Sequence, residues 1–423
     1  MDPILSEILA QEWYTQGFPA RPLFLTTVVS TEYMKTDAGF TYKRMFFTYK
    51  GDYCEANYLH SDLVAHADRI MQELHKDPSF LSKIREKNEK TVKSLAHILE
   101  NPFPDFKNLS DAQVVARVQQ NADAMERGMG GAHLIESISL RLERSIRHLL
   151  AKKTSGKELN ESFSILTAPI TQSFLSEKEE ALWRIKNSSG LRDKKRVESF
   201  IKEFFWVNSS YVQSVPWTQE AVRDEANKVT HFKKPDFTNL KKQKVALIKK
   251  YSFSAQEQLL FSRTECLTDW QDHRKKHIYK AIFAMDAAVR ELSKRFGVSA
   301  QLLHYLLPSE FSVKSLSDGS AKRLAKKRIE GCINVRDFGH TYIFDGKEYS
   351  DFKKAFEKHH AEVDILIGMA ASLGSATGPV RICNTLESLS KVQQGDILVA
   401  SMTRPEYVSA MKKAAAIVTD EGG

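Results

Sequence analysis

Glu265, Asp269, His273 and His277 recur at intervals of four residues in the stretch "FSRTECLTDWQDHRKKHIYK". On a helix this spacing puts all four on one face. Carboxylates and imidazoles on one face are metal-ligand types. Arg263, Arg274, Lys275 and Lys276 stand beside them as ion-pair partners, so the same stripe also reads as a solvated salt-bridge face or as the polar wall of a substrate cleft. On the last reading Arg263, Asp269, His273, Arg274 and Lys275 line an acceptor cleft, with no metal assigned.

Other segments carry less chemistry. "ERGMGGAHLIES" sets Gly128, Gly130 and Gly131 in a helical region, where glycines cost about 1 kcal/mol each against alanine and mark a break. The aromatic run "FFWVNSSYV" (204–212) reads as core, with the wall of an apolar substrate pocket as the alternative. "GMAASLGSATG" (368–378) lacks the Gly-Lys-Ser/Thr ending of a phosphate-cradling loop and reads as glycine turns before the strand "PVRIC". No nucleophile–His–acid arrangement stands out.

The elements that must position these residues divide the chain into three stretches. Residues 1–60 look strand-rich, with "PLFLTTVV" and "FTYKRMFFTYKGDYCEANYL" as strands and a hairpin turn at Lys50–Gly51–Asp52. Residues 61–361 look helical. Ser61 suits a helix cap, and Ser110 with Gln113 and Ser176 with Glu179 suit capping boxes. "NPFPDF" interrupts the helices, and "HTYIFDGKEYS" suggests a hairpin turning at Asp345–Gly346, followed by the helix "DFKKAFEKHHAEVD". From residue 362 to 423 short strands and glycine turns take over, including "ILIGMAA", "GDILVASMT" and "AAAIV". The expected fold class is α+β: a large, mostly helical body with small β elements, then a compact β/α module.

At 423 residues, 42% hydrophobic and 27% charged, the chain can bury real cores and is not a disordered one. No apolar run approaches the ~20 residues of a membrane helix, and the N-terminus carries no secretion signal. Cys54, Cys266, Cys332 and Cys383 are scattered without a CxxC pair, which suits a reducing cytoplasm. A net charge of +9 raises nucleic-acid binding, but the basic residues mostly alternate with acidic ones. The densest cluster, "AKRLAKKRIEG" (321–331), is one amphipathic segment, so neither nucleic acid nor a membrane is expected as partner.

From Gly368 onward the sequence resembles the swivelling phosphohistidine domain of phosphoenolpyruvate-utilising enzymes, the family of phosphoenolpyruvate synthase, pyruvate phosphate dikinase and the rifampin phosphotransferases. The resemblance rests on the series Gly368, Ser372, Gly374 and Gly378, then "VRI", then "GDILVASMTRPEYVSAMKKAAAIVTDEGG". Thr403, Thr419, Asp420, Glu421, Gly422 and Gly423 sit where the family approaches its phosphohistidine loop. The resemblance implies a β/β/α mobile domain, truncated here, and phosphoryl transfer from ATP to an acceptor through a histidine in the T-[SC]-H-A run that follows the Gly-Gly turn. None of the 13 histidines takes that place, so the carrier is expected a few residues past Gly423. ATP and magnesium are implied for the complete system only, with a separate or missing ATP-grasp domain as partner and a small-molecule acceptor held by the helical body. "LLPSEF" (306–311) and the basic helix after it resemble the lead-in to the swivelling domain. A non-catalytic acceptor-binding or regulatory module of the same family is the alternative.

Overall fold

In the computed structural model, which describes residues 1–29, 31–99, 105–187, 193–357 and 374–421, the two ends of the first 357 residues meet in one sheet. Five antiparallel strands, β1 (Trp13–Pro19), β2 (Arg44–Lys50), β3 (Tyr53–Leu59), β4 (Cys332–Asp337) and β5 (His340–Asp345), pair in the order β1-β3-β2-β4-β5. The β2–β3 hairpin turns at Gly51, whose φ of 52° favours a residue without Cβ. Strand β2 is buried on both faces, which is why "RMFF" shows no polar alternation. Met45, Phe47 and Tyr49 join the main core, while Phe46 faces a second core of Leu5, Ile8, Ile333, Val335, Phe352 and Phe356. That second core is closed by the helices Pro3–Leu9 and Gly346–Glu357.

On the other face lies the helical body. Its axis is one helix of 42 residues, Ala255–Phe296, about 63 Å long. Ser254 and Glu257 form a capping box at its start, and Gly297 ends it at φ 65°. Ala281, Ala284 and Ala288 are buried along it, and small side chains there let neighbouring helices approach closely. One neighbour is Asp111–Met129, whose Val114, Val118, Ala122, Met125 and Met129 form an apolar stripe. The glycine break follows as a 3₁₀ segment, Gly130–Leu134, before the helix Ile135–Ala151. Gly128 is required by contact: a Cβ there would run into the imidazole of His277.

A buried polar network fastens sheet to body. Arg21 ion-pairs with Asp52 (2.7 Å) and donates to His304 Nδ1 (2.9 Å). Since Arg cannot accept, His304 carries its proton on Nε2 and donates it to Asp286 (2.8 Å). Asp286 also accepts from the Ser214 hydroxyl (2.6 Å) and Arg290 (2.6 Å).

Residues 374–421 form a separate module. Strands β6 (Val380–Ile382), β7 (Ile397–Met402) and β8 (Ala416–Glu421) are parallel, in the order β6-β7-β8. The short helices Leu386–Ser390 and Val408–Met411 lie in its crossovers, and the module core gathers Cys383, Leu389, Val392, Leu398, Ala400, Tyr407 and Ala410. The α+β class and the predominance of helix agree with the sequence reading.

Four local expectations need correction. "PLFLTTVV" is a buried helical turn, Pro22–Leu25 continuing as Thr26–Val28, because Pro22 starts it and the Thr26 and Thr27 hydroxyls bond back to Pro22 and Phe24 carbonyls (2.5 and 2.9 Å). The second hairpin turns at Phe338–Gly339, both at positive φ, whereas Asp345–Gly346 delivers β5 into a helix. Ser61 is already inside its helix, which begins at His60. The helix expected from Ser176 begins at Phe174, and Ser173, not Ser176, supplies a side-chain acceptor there (3.4 Å from Ser176 N). The capping box of Ser110 and Gln113 is present as expected. "ILIGMAA", most of "NPFPDF", the end of "DFKKAFEKHHAEVD", Gly368 and Ser372 lie outside the described residues. Among the described residues no helix is long and apolar enough to cross a membrane.

Candidate functional site

Where the module meets the body, a cavity of about 300 Å³ opens between the sheet, the long helix and the end of β7. The sheet contributes Gln16, Phe18, Phe47 and Tyr58, and the segment after the glycine break contributes His133 and Glu136. The long helix contributes Asp269, Asp272, Arg274 and Lys275, while Tyr211 comes from the aromatic run. The module closes it with Met402, Thr403 and Arg404. The Arg404 guanidinium lies 3.6 Å from the centroid of the Phe18 ring and 5.0 Å from that of Tyr211, a cation–π seat across the junction.

The charges in this cavity are unequally matched. Buried Arg274 pairs with Glu136 (2.9 Å) and donates to the Ala132 carbonyl (3.1 Å), but its Nε has no acceptor. Burial works to raise the Glu136 carboxyl, yet the charge and hydrogen bond of Arg274 outweigh it and hold it below the usual range. Asp269 is engaged by Arg85 (2.5 Å) and by the Thr171 hydroxyl. Asp272 accepts from the Phe174 backbone N–H (3.1 Å), and burial raises its carboxyl. His133 is 2% exposed, its Nδ1 has no partner, and burial pulls its pKa down to about 4, so it is neutral. Lys275 forms no hydrogen bond or ion pair among the described residues. Burial, helped by Arg404 and Arg274, pulls it down to about 8, with Glu406 acting in the opposite sense.

Among the described residues no carboxylate forms an ion pair with Lys275 from the body or Arg404 from the module, although Glu406 acts on Lys275 from a distance. Such a pair of cations suits an anion that arrives between them. The C-terminal end of β8 lies at the same place, because Met402 pairs with Glu421 in the parallel ladder. Strand ends of this kind are where open α/β sheets present loops to ligands.

Asp269, Arg274 and Lys275 thus share a cavity with Thr403. Arg263 does not reach it and donates instead to the Leu74 carbonyl (3.3 Å). His273 faces a neighbouring cavity beside Asn88, Trp270 and Lys276, and its Nδ1 lies 2.9 Å from the Asp269 carbonyl. The i+4 stripe does not converge: Glu265 pairs with Lys244, and His277 is buried with Nε2 on the Ala124 carbonyl (3.0 Å). Burial pulls His277 down to about 4. Thr419 and Asp420 lie on β8, Thr419 opposite Ala400, while Gly422 and Gly423 lie outside the described residues. Sequence reasoning missed Arg404, His133 and Glu136. The first directly follows Thr403, and the other two sit in "GGAHLIES", noticed only for its glycines.

Residues 392–423 match the mobile domain of PEP-utilising enzymes. The phosphoenolpyruvate synthase of Pyrococcus furiosus is 46% identical over 146 residues, 30% of this chain and 18% of that protein. The probable phosphoenolpyruvate synthase of Methanocaldococcus jannaschii is 41% identical over 133 residues, 28% of this chain and 11% of that protein. That of Archaeoglobus fulgidus is 44% identical over 94 residues, covering 20% and 12%. The chain thus matches under a fifth of the length of these curated relatives, and the resemblance to the phosphoenolpyruvate-utilising enzymes holds for that stretch.

Proposed function

We propose that this chain is the acceptor-side part of a cytoplasmic, phosphoenolpyruvate-synthase-like phosphotransferase. In the complete system a histidine beyond Gly423 takes a phosphoryl group from ATP bound on a separate ATP-grasp domain. It then passes the group to a small molecule held in the cavity. Carriage on an imidazole splits one hard transfer into two easier ones. The observation that carries this reading is the shared cavity: Arg274 and Lys275 from the body meet Thr403 and Arg404 from the mobile-domain segment, beside the C-terminal end of β8.

The body's part is to bind the acceptor, exclude water with Phe18, Phe47, Tyr58 and Tyr211, and neutralise incoming charge with Lys275 and Arg404. In the transfer the P–N bond to histidine breaks, a P–O bond to the acceptor forms, and the proton of the acceptor oxygen passes to the imidazole nitrogen that the phosphorus leaves. Magnesium and nucleotide belong, on this reading, to the separate ATP-grasp domain, where a metal would bridge and neutralise the phosphates.

The test is labelling with β-phosphate-labelled ATP of a polypeptide that continues this sequence through T-[SC]-H-A, supplied with an ATP-grasp domain. The expected result is acid-labile label on that histidine, with transfer to acceptor reduced at least tenfold in Lys275→Met. Absence of a labelled histidine, or equal labelling of residues 1–423 alone, would overturn the reading.

A further inference from the structure

The lining of the cavity specifies more than an anion. Leu25, Val29, Phe18, Phe47, Tyr58 and Tyr211 make most of its wall apolar. At about 30 Å³ per water of liquid volume, 300 Å³ gives room for about ten non-hydrogen atoms. A three-carbon keto acid would leave much of that wall against water, forfeiting the burial that apolar surface rewards.

Its charged groups are unequally committed. Glu136, Asp269 and Asp272 are held by Arg274, by Arg85 with Thr171, and by the Phe174 N–H respectively. Among the described residues the open groups include Lys275, which forms no hydrogen bond or ion pair, and the Nε atoms of Arg274 and Arg404, both buried and without an acceptor. His133 adds an unpartnered Nδ1 on a side chain 2% exposed. Buried donors left open cost stability, and an anionic oxygen would satisfy them.

We propose that the cavity takes a carboxylic acid bearing an aromatic or branched apolar group, about ten non-hydrogen atoms in all, with its carboxylate ion-paired to Lys275 and accepting from Arg274 Nε. The apolar group lies against Phe18, Phe47, Tyr58 and Tyr211. This deepens, and rests on, the reading of the cavity as the acceptor site.

Isothermal titration of the full chain with pyruvate, phenylpyruvate and methyl phenylpyruvate tests it without nucleotide. Phenylpyruvate should bind about tenfold or more tightly than pyruvate. The neutral ester should bind about tenfold more weakly than its acid. Lys275→Met should bring the acid down to the level of the ester and leave the ester unchanged. Circular dichroism establishes that the variant is folded, and Lys275→Gln replaces it if it is not. Pyruvate binding as tightly as phenylpyruvate, an ester binding as tightly as its acid, or no binding to the folded chain would each overturn the proposal. Binding without histidine-dependent transfer in the complete polypeptide would instead refute the phosphotransfer reading and leave the site standing. Transfer to pyruvate alone would do the reverse.

Discussion

Lys275 is a charge that the fold disfavours in the absence of a ligand. Its pKa is pulled down to about 8 by burial and by Arg404 and Arg274, against the opposing pull of Glu406. Two trends of opposite sign follow. The unfolded chain binds this proton more tightly than the folded one. Below about pH 8 the cost of charging Lys275 is therefore fully present, and it is relieved as pH rises from about 8 toward the lysine's ordinary value. Anion affinity runs the other way, falling as Lys275 loses its charge above about pH 8. Denaturant unfolding and titration with phenylpyruvate across pH 7 to about 10 should both lose this dependence in Lys275→Met. A wild-type affinity independent of pH over that range would count against Lys275 as the anion's partner.

The glycine break shows how a single contact reverses a propensity at the scale of an element. By helix propensity alone, Gly128→Ala should stabilise the helix Asp111–Met129 by about 1 kcal/mol. The structure reverses the sign, because the new Cβ would meet His277, itself fixed on the Ala124 carbonyl. Overpacking of this kind costs about 1–3 kcal/mol. The expected outcome is a destabilised protein in denaturant unfolding; a stabilised Gly128→Ala would mean the helices have room to separate. Much of the element plan was legible from the sequence. The box at Ser110 and Gln113 and the helical spacing of residues 255–295 are local signals, and the structure follows them. The turn at Phe338–Gly339 was not legible, because Asp345–Gly346 is the stronger local signal, and packing of Tyr349, Phe352 and Phe356 on the sheet commits that stretch to helix.

Across the whole molecule, the contacts that seat the module on the body include Arg404 on Phe18 and Tyr211, β7 alongside β1, and an exposed ion pair of Lys412 with Glu179 (3.8 Å). One face of its sheet keeps Val380, Ile382 and Val418 exposed, so its own core covers the sheet on one side only. Arg404→Ala removes a cation–π contribution of about 1–2 kcal/mol. Limited proteolysis should then cleave residues 374–421 roughly tenfold faster while the midpoint for unfolding of the body stays put. Unchanged cleavage would place the docking energy elsewhere. The sequence by itself determined the class of the fold, the helical body and the likeness of the last segment to a mobile domain. Those follow from periodicity, capping and a spaced motif, all of which act along the chain. Only the tertiary structure decided that strands from residues 13–59 and 332–345 share one sheet. It also decided which of the stripe residues enter the cavity and that Arg404 meets Lys275 there. These facts depend on which surfaces bury each other, and residues more than a hundred positions apart leave no trace of that in local spacing.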